Sequence, residues 1–234
     1  MRLNKYLAHS GVGSRRFCDT LVFEGRVQVN GSYVDTPAID VNEQDRVLVD
    51  GERVRLKKQY TYIKLNKPRG YVSTTKDPYH EKIVTVLLPK VLDVVPVGRL
   101  DKDTTGILIF TDDGDLLHKL IHPKYGIEKE YEVLLEMTPQ GYPENELHNG
   151  IRLENGDRAK GIAETLNEKR THYKVILKEG KKREVKRIFR HYNSIVRRLH
   201  RNLFAGISAN ELAEGKWKKL TPDEIKHLKK ITNS

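Results

Sequence analysis

Apolar positions along this chain recur with two different periods, and the places where the period changes divide it into parts. Leu3, Tyr6 and Leu7 stand at i, i+3 and i+4 and share one helical face. Gly11-Val12-Gly13 breaks the period, and Ser14 is placed to cap a second helix. Phe17, Cys18, Leu21 and Val22 are the expected inward face of that helix, and Gly25 closes it. A period of two follows. Val27-Gln28-Val29, Asn30-Gly31 and Tyr33-Val34 predict a hairpin, because Asn-Gly fits the left-handed backbone of a two-residue turn. Val47-Leu48-Val49 before Asp50-Gly51 predicts a further strand. Arg55 to Gln59 is polar and breaks the pattern, which separates an expected domain over residues 1–58 from a second over residues 60–230.

In the second part, Tyr62, Ile63 and Leu65 predict a strand that runs into a turn at Asn66-Lys67-Pro68-Arg69-Gly70 and resumes at Tyr71-Val72-Ser73. Thr74 to Lys82 reads as a mobile polar loop, and Val84 to Leu88 as a short apolar segment. Val94–Val97 and Ile107–Phe110 are apolar runs of the kind that form buried strands. After a turn at Thr111–Asp115, Leu116, Leu117, Leu120 and Ile121 return to a helical period. Glu128 to Leu135 alternates as a half-buried strand, with Tyr131, Val133 and Leu135 on one face, and His172–Leu177 forms another. Val185, Ile188, Phe189 and Tyr192 then predict an amphipathic helix with Arg183, Arg187 and Arg190 on a different face. A last short helix starts at Pro222, capped by Thr221.

Charge narrows the function classes. Lys and Arg number 43 against 32 Asp and Glu, a formal excess of +11 that points to a polyanionic partner, nucleic acid rather than membrane. Nine Lys or Arg and one Glu fall between Lys181 and Arg201, which accounts for most of that excess. No apolar run is long enough to span a bilayer, and the N-terminus lacks the apolar core of a signal peptide. The one cysteine, Cys18, excludes an internal disulfide and a paired-cysteine zinc site, and a cytoplasmic location is expected. Asp112, Asp113 and Asp115 lack the glutamate and loop length of a calcium site, and His118 with His122 lacks a third ligand, so no metal is expected. Between the two apolar runs lies Gly98-Arg99-Leu100-Asp101-Lys102-Asp103-Thr104-Thr105-Gly106. Asp101, flanked by Arg99 and Lys102, is either part of a polar connection or a reactive carboxylate held on rigid scaffold.

Two resemblances bear on that choice. The stretch from RLNKYLAHSGVGSRR through GRVQVNG to DRVLVDG resembles the αL RNA-binding module of the ribosomal-protein-S-four type. In that module the second helix and the turn before it present basic residues to RNA phosphates. Gly13, Ser14, Arg15 and Arg16 match the contact turn, with Lys5 and Arg26 nearby. YIKLNKPRGYVST, GRLDKDTTGILIFTDDG, EKEYEV and EGKKREVKRIF, at fitting distances, resemble the RsuA-like ribosomal RNA pseudouridine synthases.

This resemblance implies isomerisation of a uridine in RNA without metal or organic cofactor. Asp101 would act as nucleophile, or as base and charge stabiliser. It implies that Lys186 pairs with Asp101, standing where many relatives have arginine, and that Glu184 stands where glutamine is common. Tyr131 would stack on the target uracil, and Arg99 would help hold the target nucleotide out of its stack. Arg183, Arg187 and Arg190 would flank the RNA cleft. The expected fold class is α+β: the small RNA-binding domain, then a larger catalytic domain with a mostly antiparallel mixed sheet flanked by helices. The expected partner is ribosomal RNA, of the small subunit or an assembly intermediate of it, with no membrane partner and a monomeric chain. Large-subunit RNA and a non-catalytic ribosome-assembly factor are the alternatives.

Overall fold

Residues 1–74, 82–154 and 156–233 are described by the structure, a computed structural model. They fall into two compact units, residues 1–60 and 61–234. In the first, α1 (Leu3–His9) and α2 (Arg15–Phe23) precede β1 (Val27–Val29), β2 (Ser32–Tyr33), β3 (Val47–Val49) and β4 (Glu52–Arg53). The strands lie in the order β2-β1-β3-β4. Both hairpin turns use left-handed backbone at each central position: Asn30 and Gly31 have φ of 52° and 90°, Asp50 and Gly51 of 51° and 84°. Ser14 caps α2 by accepting a hydrogen bond from the Phe17 amide at 3.2 Å.

Leu3, Tyr6, Leu7, Cys18, Leu21, Val22, Val27 and Val47 form the core of this unit. Phe17, expected inside, is 48% exposed. It lies one turn from the cap and packs back over Gly13, where an added Cβ would come within 2.6 Å of its ring.

The second unit contains β5 (Tyr62–Lys67), β6 (Val95–Pro96), β7 (Thr105–Thr111), α3 (Gly114–Ile121), β8 (Lys129–Leu135) and α4 (Pro143–Glu146). There follow β9 (Ile151–Arg152), β10 (Arg158–Ala159), β11 (Gly161–Thr165), β12 (His172–Leu177) and α5 (Glu184–His191). The last elements are β13 (Val196–Phe204), β14 (Ile207–Ser208), β15 (Trp217–Lys219) and α6 (Pro222–Ile231). The main sheet runs β11-β12-β8-β13-β7-β5-β15, with β14 on β13 and β6 on β7. Its pairs are antiparallel except β13 with β7, which is parallel, so the sheet is mixed and mostly antiparallel and the class is α+β. On one face Ile63, Leu65, Leu108, Phe110, Val133 and Val175 pack with Val185, Ile188 and Phe189 of α5. Glu224 and Thr221 complete a reciprocal capping box at the start of α6.

Several local expectations are revised. Of the run Val94–Val97 only Val95–Pro96 pairs as strand, and Val95 is exposed while Val94 and Val97 are buried. Tyr71–Ser73 does not form a strand; Val72 makes a single bridge to Ile83. Val84–Leu87 is a 3₁₀ turn. The basic segment after Lys181 divides into α5, which begins at Glu184, and β13. The loop expected from Thr74 to Lys82 lies, over residues 75–81, outside the described residues. Among the described residues no helix is long and apolar enough to cross a membrane.

Candidate active site

The parallel junction fixes where the Asp101 loop sits. Thr105 and Gly106, at the start of β7, lie in register with His200 and Arg201 of β13. An added Cβ at Gly106 would stand 2.3 Å from the Arg201 carbonyl oxygen and 2.7 Å from its nitrogen, and Gly106 has a φ of +105°. Only glycine permits this approach of two backbones.

The loop from Gly98 to Thr104 is then tied down from beneath. Lys67, at the end of β5, is fully buried, and its Nζ donates to the carbonyls of Thr104 (2.8 Å), Pro68 (3.1 Å), Asp101 (3.2 Å) and Lys102 (3.5 Å). Burial pushes this ammonium down to about 8, against the pull of the Asp103 and Asp101 carboxylates. The Ser73 hydroxyl accepts from the Leu100 amide (3.1 Å) and donates to the Leu100 carbonyl (2.9 Å). Leu100 is buried in the core, which turns its neighbour Asp101 outward with its side chain 37% exposed.

Asp101 borders a cleft of about 720 Å³ that Arg99, Lys129, Tyr131, Arg183 and Arg201 also line. Tyr131, on β8, is 9% exposed and stands in register with Val175 on one side and Arg201 on the other. Arg201 is almost wholly buried, donates through Nε and Nη2 to the Ile107 carbonyl (2.9 and 2.8 Å), and lies over the Phe204 ring. Lys129 donates to the carbonyls of Ile127 (2.8 Å) and Lys178 (3.1 Å), and burial, with Arg201 nearby, pushes it down to about 8. The cleft thus has an aromatic floor and walls in which cations outnumber the carboxylates of Glu179 and Glu184.

Lys186, on α5, reaches the loop with only 11% of its side chain exposed. The expected pair with Asp101 takes a particular form. Its Nζ lies 3.6 Å from the Asp101 carboxylate, ion-pair distance without a hydrogen bond, and 2.5 Å from that of Asp103. Burial pushes the Asp103 carboxyl up, but the Lys186 hydrogen bond and charge, with Arg183, outweigh it and leave it below the usual carboxylate range.

The other expected contacts are distributed unevenly. Arg99 is exposed at the cleft rim, and Arg183, with a left-handed φ of 52°, precedes α5 rather than sharing its face. Arg187 does not line the cleft and pairs with Asp157 at 2.7 Å; Arg190 is exposed at the far end of the helix. Glu184 is buried, accepts from the Lys181 amide at 2.9 Å, and is held above the usual carboxylate range by desolvation. In the first unit Arg15 and Arg16 are exposed beside Gly13 and Ser14, and Lys5 is half-buried on α1. Arg26 forms a two-pronged contact with Asp50 (2.9 and 2.6 Å) and reaches Glu24 at 3.1 Å, which staples the β3–β4 turn.

Sequence reasoning missed Lys67, Arg201, Lys129, Ser73 and Asp103. Lys67 falls in phase with Ile63 and Leu65 on β5, and Arg201 with Leu199 on β13, but only the folded chain reveals these as core positions.

Residues 61–191 match the RNA pseudouridylate synthase family, and residues 1–47 match the S4 domain. The chain is 36% identical to the ribosomal large subunit pseudouridine synthase B of Bacillus subtilis (strain 168), over 99% of this chain and 97% of that protein. It is 37% identical to an uncharacterized RNA pseudouridine synthase of Aquifex aeolicus (strain VF5), over 97% of this chain and 93% of the other. A crystal structure of a pseudouridylate synthase superposes with a TM-score of 0.70 at 27% identity, covering 97% of this chain and 99% of that one. With Asp101, Tyr131 and Lys186 inside the matched segment, the chain belongs to the RNA pseudouridylate synthase family, carries an S4 domain ahead of its catalytic unit, and isomerises uridine to pseudouridine in RNA.

Proposed function

We propose that the substrate is a uridine of large-subunit ribosomal RNA and that Asp101 is the reacting carboxylate. The Bacillus subtilis relative, matched over 97% of its length, is named for the large subunit, and this favours the large-subunit reading over the small-subunit one. The observation that carries the role of Asp101 is its opening, together with Tyr131, onto one cleft that Arg99, Lys129, Arg183 and Arg201 also line.

The isomerisation breaks N1–C1′ and forms C5–C1′; C5 loses a proton and N1 gains one, so no oxidant or co-reactant enters. Asp101 serves as nucleophile, or as base and charge stabiliser, with the positive charge of Lys186 3.6 Å away to offset that of incoming phosphates. Tyr131 offers a flat, buried surface for the uracil ring. Arg99 at the rim helps hold the nucleotide extruded, which costs a few kcal/mol in a stacked strand and less in a loop. Arg183 meets phosphates at the cleft, Arg187 and Arg190 act along α5, and Lys5, Gly13, Ser14, Arg15, Arg16 and Arg26 form the contact face of the first unit. The two units correspond to an RNA-binding domain and a catalytic domain, and the protein acts as a cytoplasmic monomer.

The test is a map of pseudouridines by carbodiimide labelling and primer extension in ribosomal RNA from a deletion strain. One large-subunit site is expected to vanish, and to return with the wild-type protein but not with Asp101→Asn. Loss of a small-subunit site would move the substrate, and no lost site would refute the ribosomal assignment.

A further inference from the structure

Lys186 faces two carboxylates, and the distances rank them in an unexpected order. The acid that borders the cleft, Asp101, is the farther one at 3.6 Å, while Asp103 takes the short bond at 2.5 Å. The two acids lie two residues apart in one turn, closed by the Thr104 amide donating to the Asp101 carbonyl at 3.0 Å. Lys67 anchors that turn, so neither carboxylate can exchange places with the other by moving the backbone. What can move is the lysine, a flexible point charge with three donors.

We propose that Asp103 is a positioning residue: it draws the short hydrogen bond of Lys186 away from Asp101, so that Asp101 keeps a nearby positive charge while its oxygens stay free to react. The inference rests on Asp101 being the reacting carboxylate. A cation at ion-pair distance favours the charged form, but a short charge-assisted hydrogen bond to the same oxygen ties up the lone pair that must attack or accept a proton. Asp103 separates these two effects. The charged groups around the pair are Lys67 beneath the turn, Arg99 and Lys102 within the loop, Lys186, Arg183 and Glu184 from the α5 side, Glu179 just before it, and Lys129 and Arg201 across the cleft; Tyr131 is the titratable group on the floor. Cations outnumber the carboxylates among them. With Asp103 neutralised, Lys186 has one carboxylate left to bind and moves onto Asp101.

The experiment compares Asp103→Asn, Asp103→Glu and Asp101→Asn with the wild type in a tritium-release assay on an RNA substrate, with kcat and KM measured across pH. The Asp103 side chain is half-exposed on a loop, so the variants are expected to fold; thermal melting checks this. Asp103→Asn is expected to lower kcat roughly tenfold, the rate equivalent of one charge-assisted hydrogen bond broken before attack, with KM unchanged. Asp103→Glu should restore much of the rate. An Asp103→Asn enzyme with the wild-type rate, or one whose loss appears only in KM, overturns the proposal. A loss of kcat that Asp103→Glu does not restore also overturns it and makes Asp103 merely structural. Retained activity in Asp101→Asn would instead overturn the assignment of Asp101 itself.

Discussion

Replacing Lys67 by methionine removes the anchor of the active-site loop while nearly preserving side-chain volume. The ammonium is fully buried and has carbonyl partners at Thr104, Pro68, Asp101 and Lys102, between 2.8 and 3.5 Å away. Methionine leaves them without that donor, although the Asp101 and Lys102 carbonyls keep the Thr104 and Gly70 amides. A buried acceptor without a partner costs about 1–3 kcal/mol, but the substitution also relieves the desolvation of the charge. The net loss of stability is therefore expected near about 2 kcal/mol, well below the sum of the four hydrogen bonds.

The effect on catalysis should be larger, because a misplacement of about 1 Å in a reacting group costs on the order of a hundredfold in rate. The pH dependence supplies an independent signature. The folded-state value of Lys67 is depressed to about 8 from an ordinary 10.5, so above pH 8 the native chain releases a proton that the unfolded chain still holds. This contribution to stability is present above the ordinary lysine value and lost as pH falls through about 8. Urea unfolding of wild type and Lys67→Met, between pH 7 and 10, should show the wild type gaining more stability with rising pH. Lys129, depressed in the same way, contributes equally to both proteins. Parallel stability curves combined with an unchanged kcat would refute the anchoring role.

Asp101→Asn should reduce isomerisation by roughly a thousandfold or more and leave RNA affinity equal or slightly higher, because a negative charge beside phosphates is removed; filter binding and tritium release measure the two. Arg15→Glu with Arg16→Glu should weaken RNA binding and reduce the slope of log K against log salt by about 0.7 for each single-strand phosphate that the turn no longer neutralises. An unchanged slope would return that turn to ordinary solvated surface. Gly106→Ala places a Cβ 2.3 Å from the Arg201 carbonyl, where no flexible atom can yield, so a loss of about 3 kcal/mol or more is expected in a thermal or urea melt. A melt that matches the wild type would show that β7 and β13 can separate without penalty.

Features set by neighbours in the chain were readable from the sequence, and features set by distant segments were not. The hairpins at Asn30-Gly31 and Asp50-Gly51 follow from backbone preferences of those dipeptides alone. The loop around Asp101 stood out because apolar runs flank it. Strand β13 was hidden: its exposed positions carry arginines that read as part of a basic helix, and two of its buried positions, Leu199 and Arg201, sit within a run of charge. A buried arginine or lysine contradicts composition, and only the carbonyls brought to it by other strands make the position tolerable. The same holds for Lys67, whose partners Asp101 and Thr104 lie 34 and 37 residues on. Phe17 failed for a local reason. The helical period put it on the inward face, but the first turn of α2 folds it over Gly13.

The parallel register between β7 and β13 also has a consequence in time. Thr105 and His200 are 95 residues apart, so at about 5–20 residues per second the ribosome needs roughly 5–20 s to make one after the other. Lys67 can meet its carbonyls early in that interval, since all of them belong to the first half of the chain. The wall that faces them, with Lys186 and Arg201, has not yet been made. A nascent chain can therefore hold Asp101 in a formed turn while the cleft and its cation are still missing, and long-range pairing of this kind is the slow step in folding sheets. Catalytic competence arrives only when β13 closes on β7, so a chain interrupted before Val196 carries a finished loop and no enzyme.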